Sequence, residues 1–158
     1  MATRSEGRDA GAAAAAGFSE AERAAMKQRA KELKAEAGSG RGKDKAAAAE
    51  AEVLEKIAGM PEEDRALAER VHALVTTVAP DLAPKLYYGQ PAYARGKKVV
   101  CFFRSGRGDG ERYSTFGLSQ EANLDEGSGL WPTSYALADE ISEQAWQHLA
   151  ELVERAVS

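Results

Sequence analysis

The sequence predicts an α+β fold: an antiparallel sheet of about four to six strands with N-terminal and C-terminal helices packed on it. Three observations carry this. Helical patterning fills the chain from Ser19 to Val78 and returns after Ser142. Between these stretches, from about 85 to 137, lie short runs rich in aromatic and β-branched residues, divided by Gly-, Pro- and Asp-containing breaks. That interval has no room for a crossover helix, so its strands must run antiparallel.

The elements follow in order. Residues 1–18 are polar and Ala- and Gly-rich with nothing to bury, which predicts a disordered leader. Ser19-Glu20-Ala21-Glu22 is a capping box opening a helix to about Ala37. Its larger apolar residues are Met26 and Leu33 alone. So thin a stripe predicts a marginally attached helix, or one that serves a partner. Gly38 to Lys43 is a flexible linker. The stretch 19–50 is accordingly an extension, and 51–158 the main domain. A second helix runs from Asp44 to Ala58, with Val53, Leu54 and Ile57 as its buried edge. Pro61 opens a third, to Val78, whose first turn carries Glu62, Glu63 and Asp64 where the helix dipole favours acids. Leu67, Val71, Leu74, Val75 and Val78 give that helix a core stripe.

Tyr87-Tyr88 begins the strand region, Gly89-Gln90-Pro91 bends it, and Arg95-Gly96-Lys97 is a hairpin turn. Lys98 to Arg104 is the strongest strand. Alternation assigns Val99, Cys101 and Phe103 to one face and Val100 and Phe102 to the other. Both faces are apolar, so both need cover, from helices, a second subunit or a ligand. Further strands are expected at Glu111–Leu118 and Leu130–Leu137, with an edge or bulge at Trp131-Pro132. Ser142 caps a last helix with Trp146, Leu149, Leu152, Val153 and Ala156 on its buried stripe. The expected core includes Phe102, Phe103, Trp131, Trp146, Leu149, Leu74 and Val71.

Composition narrows the function. The 158 residues carry a net charge of −4, which argues against nucleic acid as a partner. One Cys excludes an internal disulfide framework and a Cys-cluster metal site. No run is long enough for a membrane span and no signal segment is evident, so a cytoplasmic location is expected. His72 and His148 have no ligand at a standard short spacing, and Cys101 has no base beside it. No nucleophile–base pair is visible, so the expectation is a binding protein and not an enzyme, with no catalytic residue assigned. Two binding sites suggest themselves. Carboxylates crowd the middle helices, and Glu62, Glu63, Asp64 and Glu69 are the densest set, a shallow site for a hard cation. Aromatics crowd the sheet, and Tyr88, Tyr93, Phe103, Tyr113 and Trp131 are candidates to line a small-molecule cavity on one sheet face.

Several stretches resemble the YdhG-like family, a domain of unknown function. They are Tyr88-Gly89-Gln90-Pro91-Ala92-Tyr93, Cys101-Phe102-Phe103, Arg112 to Gly117, Ala122-Asn123-Leu124-Asp125 and Leu130-Trp131-Pro132, with Met60 to Arg65 resembling the family's helix start. The resemblance spans about Val53 to Ser158. Gln90 stands where the family pattern has Met. The resemblance implies a small α+β domain. Some members are described as frataxin-like iron chaperones, so it also implies ferrous iron as cargo and an iron-acceptor protein as partner. It supplies no site motif that transfers residue by residue. The expectation is an intracellular binding protein, an iron carrier in its favoured form, with a small-molecule binder or a protein-interaction module as alternatives.

Overall fold

A computed structural model describes residues 19–37 and 42–158; the expected leader and most of the expected linker lie outside them. Four helices flank a five-stranded antiparallel sheet, an α+β architecture. Helices α1 (Glu20–Ala37), α2 (Gly42–Ala58) and α3 (Glu62–Val78) precede the sheet. The strands are β1 (Ala83–Tyr87), β2 (Gln90–Arg95), β3 (Lys98–Arg104), β4 (Ser114–Leu118) and β5 (Ser134–Leu137), and α4 (Glu143–Val157) closes the chain. Spatial order equals chain order, a meander in which every neighbouring pair is joined by a local connection.

The caps act as their residue types dictate. The Ser19 hydroxyl accepts from the Glu22 amide at 3.1 Å, and the Ser142 hydroxyl accepts from the Ala145 amide at 3.1 Å. α2 lies along β1, and α3 packs on α4. Their buried stripes meet one face of the sheet. Val53 and Ile57 of α2, Leu67, Val71 and Val75 of α3, and Trp146, Leu149 and Val153 of α4 join Tyr93, Cys101, Phe103 and Phe116 in one core. Each such aliphatic side chain contributes about 1.5–3 kcal/mol of transfer free energy, so this face supplies most of the domain's stability.

Alternation along β3 is broken. Tyr93 pairs with Cys101, but the next residue, Ala94, pairs with Val99, so Val100 is an extra residue in the ladder. This bulge puts Val100 and Cys101 together in the main core. Val99 turns to the second face, where Ala92, Ala94 and Val99 cluster and Tyr87 and Phe102 pack against them. The expected pairing of Val99 with Cys101 and Phe103 is therefore corrected by one unpaired residue.

Two strands are shorter than their composition suggests. β4 begins at Ser114, because Glu111 to Tyr113 close the preceding loop instead. The Glu111 amide donates to the Gly106 carbonyl at 2.7 Å, and the Gly106 amide to the Ser114 hydroxyl at 3.0 Å. β5 begins only at Ser134. Leu130 and Trp131 lie before it, 82% and 39% exposed, so Trp131 is not a core residue. Pro132 lacks the N–H that a ladder position needs, which helps end the strand there. Phe103, Trp146, Leu149 and Val71 are buried as expected, while Phe102 and Leu74 are half-buried.

Candidate functional site

The four carboxylates expected to hold a cation have different fates. Glu62, Glu63 and Glu69 are exposed on α3, and Asp64 is 1% exposed. The Asp64 carboxylate accepts hydrogen bonds from the Ser105 hydroxyl, the Arg107 amide (2.9 Å), the Gly108 amide (3.3 Å) and the Arg107 guanidinium (3.3 Å). Burial alone would raise its pKa. The hydrogen bonds from Ser105, Gly108 and Arg107 outweigh this and hold the group below the ordinary carboxylate range. Its oxygens thus fasten the β3–β4 loop. Arg107 reaches outward from Asp64 to Asp139, in a bidentate pair at 2.7 and 2.6 Å. Among the described residues, no three His, Cys, Asp or Glu side chains converge as a metal-binding group.

The five expected cavity aromatics are not brought together either. Tyr93 and Phe103 are fully buried in the main core. The Tyr93 hydroxyl meets His72 Nδ1 at 2.9 Å, and His72 Nε2 lies 3.7 Å from Glu50. Burial pushes the Tyr93 phenol far up and the Cys101 thiol up to about 12, so both stay protonated and inert. Burial lowers the His72 pKa, only partly opposed by Glu50, so its ring stays neutral. Tyr113 is exposed beside Arg112, in a separate depression that also holds Arg107 and Asp139. Trp131 stands in the loop before β5. Only Tyr88 borders the main cleft.

That cleft is built by an anchored turn. β1 and β2 join through Tyr88-Gly89, both at positive φ (52° and 76°), the two-residue turn that suits the twist of a hairpin. Gly89 takes this conformation freely; Tyr88 does so at a steric cost of about 1–2 kcal/mol. Glu32 of α1 is 8% exposed and holds the turn in place. Its carboxylate accepts from the Gly89 amide at 2.9 Å and the Tyr88 amide at 3.1 Å. One turn earlier, the Arg29 guanidinium lies 4.7 Å from the Tyr87 ring centroid and 5.8 Å from that of Tyr88. α1 is seated on the hairpin by these polar and cation–π contacts, while Met26 and Leu33 remain 49% exposed.

The seat leaves space between α1 and the second sheet face. A cleft of about 730 Å³ is walled on the helix side by Ala21, Ala24, Ala25 and Gln28, and on the sheet side by Tyr87, Tyr88 and Phe102. The small alanines keep the helix wall back from the rings. Phe102 lies across Gly117, where a Cβ would fall 2.2 Å from the tip of its ring, so only glycine lets the ring lie flat on β4. Arg104, Asp109 and Glu111 close one end, with Arg104 hydrogen-bonded to Asp109 at 2.7 Å and to Glu111 at 3.3 Å. A second cleft of about 540 Å³ adjoins the first, sharing Gln28, Lys56 and Gln90, and runs on beneath α1 past Glu52 and Glu55.

Sequence reasoning missed Tyr87 and Phe102 as cleft residues, and Glu32 as the anchor. Phe102 was legible in part, as the ring opposite Cys101 and Phe103. No spacing signal marks Glu32, one of many charged residues on α1. No family model matches the chain, and no curated protein and no solved structure matches it. No helix among the described residues is long and apolar enough to cross a membrane.

Proposed function

We propose that this chain is a YdhG-like, non-enzymatic binding protein that takes a small organic ligand in the cleft between α1 and the second sheet face. The observation that carries this reading is the aromatic wall. Tyr87, Tyr88 and Phe102 border a space of about 730 Å³, within the size range of small-molecule sites, and a helix of small residues stands opposite. Polar groups in the lining, among them Gln28, Gln90 and Arg104, can fix a ligand's orientation. The carboxylate route to an iron carrier has no comparable support, because Asp64 is fully engaged by the β3–β4 loop.

The test is amide and ring chemical-shift mapping against a library of small aromatic fragments. The expected hits shift Tyr87, Tyr88, Gly89 and Phe102 together, and Phe102→Ala weakens them about tenfold or more. A library whose hits leave these residues unmoved overturns the reading. Anaerobic calorimetry with ferrous iron, on the same protein and on Glu62→Ala/Glu63→Ala/Glu69→Ala, decides the iron-carrier alternative separately.

A further inference from the structure

We infer that the ligand of the cleft beneath α1 is an organic cation, an amine or guanidinium carried on a small flat or apolar body. The inference rests on the ligand-binding reading above and narrows it to a chemical class.

The aromatic wall supplies the first argument. Tyr87 and Tyr88 meet edge to face with centroids 4.7 Å apart, and Tyr87 and Phe102 stand 6.2 Å apart at 48°. Three rings thus form a bent wall whose electron-rich faces attract positive charge. The wall already carries one cation, since Arg29 sits over both tyrosines. That contact is the same cation–π chemistry, within the protein itself, and a ligand cation would use ring surface that Arg29 leaves open.

Charge supplies the second argument. Six carboxylates line the two adjoining clefts: Glu22, Glu32, Glu52, Glu55, Asp109 and Glu111. Four cations accompany them: Lys31, Lys56 and Arg104 in the lining, and Arg29 over the tyrosine rings, where it also lies 3.5 Å from Glu32, so carboxylates still outnumber cations. Arg104, the cation on the sheet side, is held between Asp109 and Glu111, so that group of three is net negative and offers an anion little. Glu32 is engaged by the turn amides. Glu22, Glu52 and Glu55 remain against two flexible lysines. An anionic ligand entering here meets a negative field and rings that repel it. A cationic one is favoured by both, and the charge part of that preference weakens as salt rises.

The experiment compares isosteres that differ in charge: benzylammonium, benzyl alcohol and benzoate, titrated at low salt and followed by the shifts of Tyr87, Tyr88 and Phe102. Benzylammonium is expected to bind at least tenfold tighter than benzyl alcohol, and benzoate more weakly than either. Raising salt to half-molar should erode the preference for the cation. Tyr87→Leu keeps apolar bulk but removes a ring, and should cut the benzylammonium advantage to about threefold or less. Equal or tighter binding of benzyl alcohol or benzoate at the same residues overturns the charge class and leaves the ligand cleft standing. If none of the three shifts these residues while neutral library fragments do, the charge class also falls. Only the failure of every fragment at the cleft removes both readings.

Discussion

Two buried carboxylates, Asp64 and Glu32, perform the same local task in different settings. Each projects from a helix and accepts a pair of backbone amides from a turn of the sheet: Arg107 and Gly108 for Asp64, Tyr88 and Gly89 for Glu32. Each has an arginine nearby, Arg107 or Arg29. The helices behind them differ. α3 carries Leu67, Ala68, Val71 and Val75 into the main core, so Asp64 fixes a loop to an element already held by packing. α1 has no large buried apolar residue among those described, so Glu32 helps fix the element itself. The same hydrogen-bond chemistry therefore serves stability in one place and position in the other. The cleft lies at the second place, where a helix held by polar contacts can be displaced without opening the core.

The largest expected effect is at the first carboxylate. Asp64→Ala leaves the Ser105 hydroxyl and the Arg107 and Gly108 amides without their acceptor. This should cost on the order of 3 kcal/mol in a urea melt. A loss under about 1 kcal/mol would mean that water replaces the carboxylate and that the loop is not held by it. Asp64→Asn separates the two contributions, since it keeps one acceptor oxygen and removes the charge.

Acid should sharpen the same contrast. Asp64 has its pKa lowered by folding, so its contribution is complete above about pH 4, the unfolded value, and is lost as pH falls through the lower folded value. His72 also has its pKa lowered, by burial. The unfolded chain takes up that proton first, so stability declines as pH falls below about 6.5. Melts at pH 7, 5.5 and 3.5 should show both declines. In Asp64→Ala the decline below pH 4 should shrink and the one below pH 6.5 persist. A stability that rises between pH 7 and 5.5 would contradict a neutral His72.

An intermediate effect belongs to the floor of the cleft. Gly117→Ala places a methyl group inside the present position of the Phe102 ring. The ring must swing away from β4, at a cost of about 1–3 kcal/mol for the overpacked site. It would then intrude on the cleft, so fragment binding should weaken together with stability. Unchanged Phe102 ring shifts in Gly117→Ala would show that β4 yields instead of the ring.

What the sequence disclosed follows the strength of its periodicities. α3 and α4 were legible because Leu67, Val71 and Val75, and Trp146, Leu149 and Val153, repeat at helical spacing and pack into one core. The antiparallel sheet was legible because the strand interval carries no helical pattern that could serve as a parallel crossover. The face of Val99 was not legible, because a bulge depends on how two strands register and β3 alone carries no mark of it. Trp131 misled for a related reason: hydrophobicity says that burial is favourable, not that the strand continues far enough to provide it. The site was the least legible part. Its rings, Tyr87 and Phe102, reach one face through cross-strand register, and its anchor, Glu32, lies 56 residues from Tyr88.

The smallest expected effect on global stability, and the sharpest test of the comparison, is at the second carboxylate. Glu32→Ala frees two turn amides that water can reach once α1 moves, so no buried donor is stranded as in Asp64→Ala. α1 also buries no large apolar side chain among those described, so its release exposes little core. Global unfolding should change by less than about 1 kcal/mol. The local change should be large: hydrogen exchange in 20–34 should rise tenfold or more, and the Arg29 to Tyr87 ring contacts should disappear. Tyr88, no longer held at positive φ by the carboxylate, should relax toward the ordinary region. Glu32→Gln retains one acceptor oxygen and should show a smaller version of each change. If Glu32→Ala costs as much as Asp64→Ala, α1 unfolds with the core as one unit. The distinction between a carboxylate that stabilises and one that positions would then be wrong.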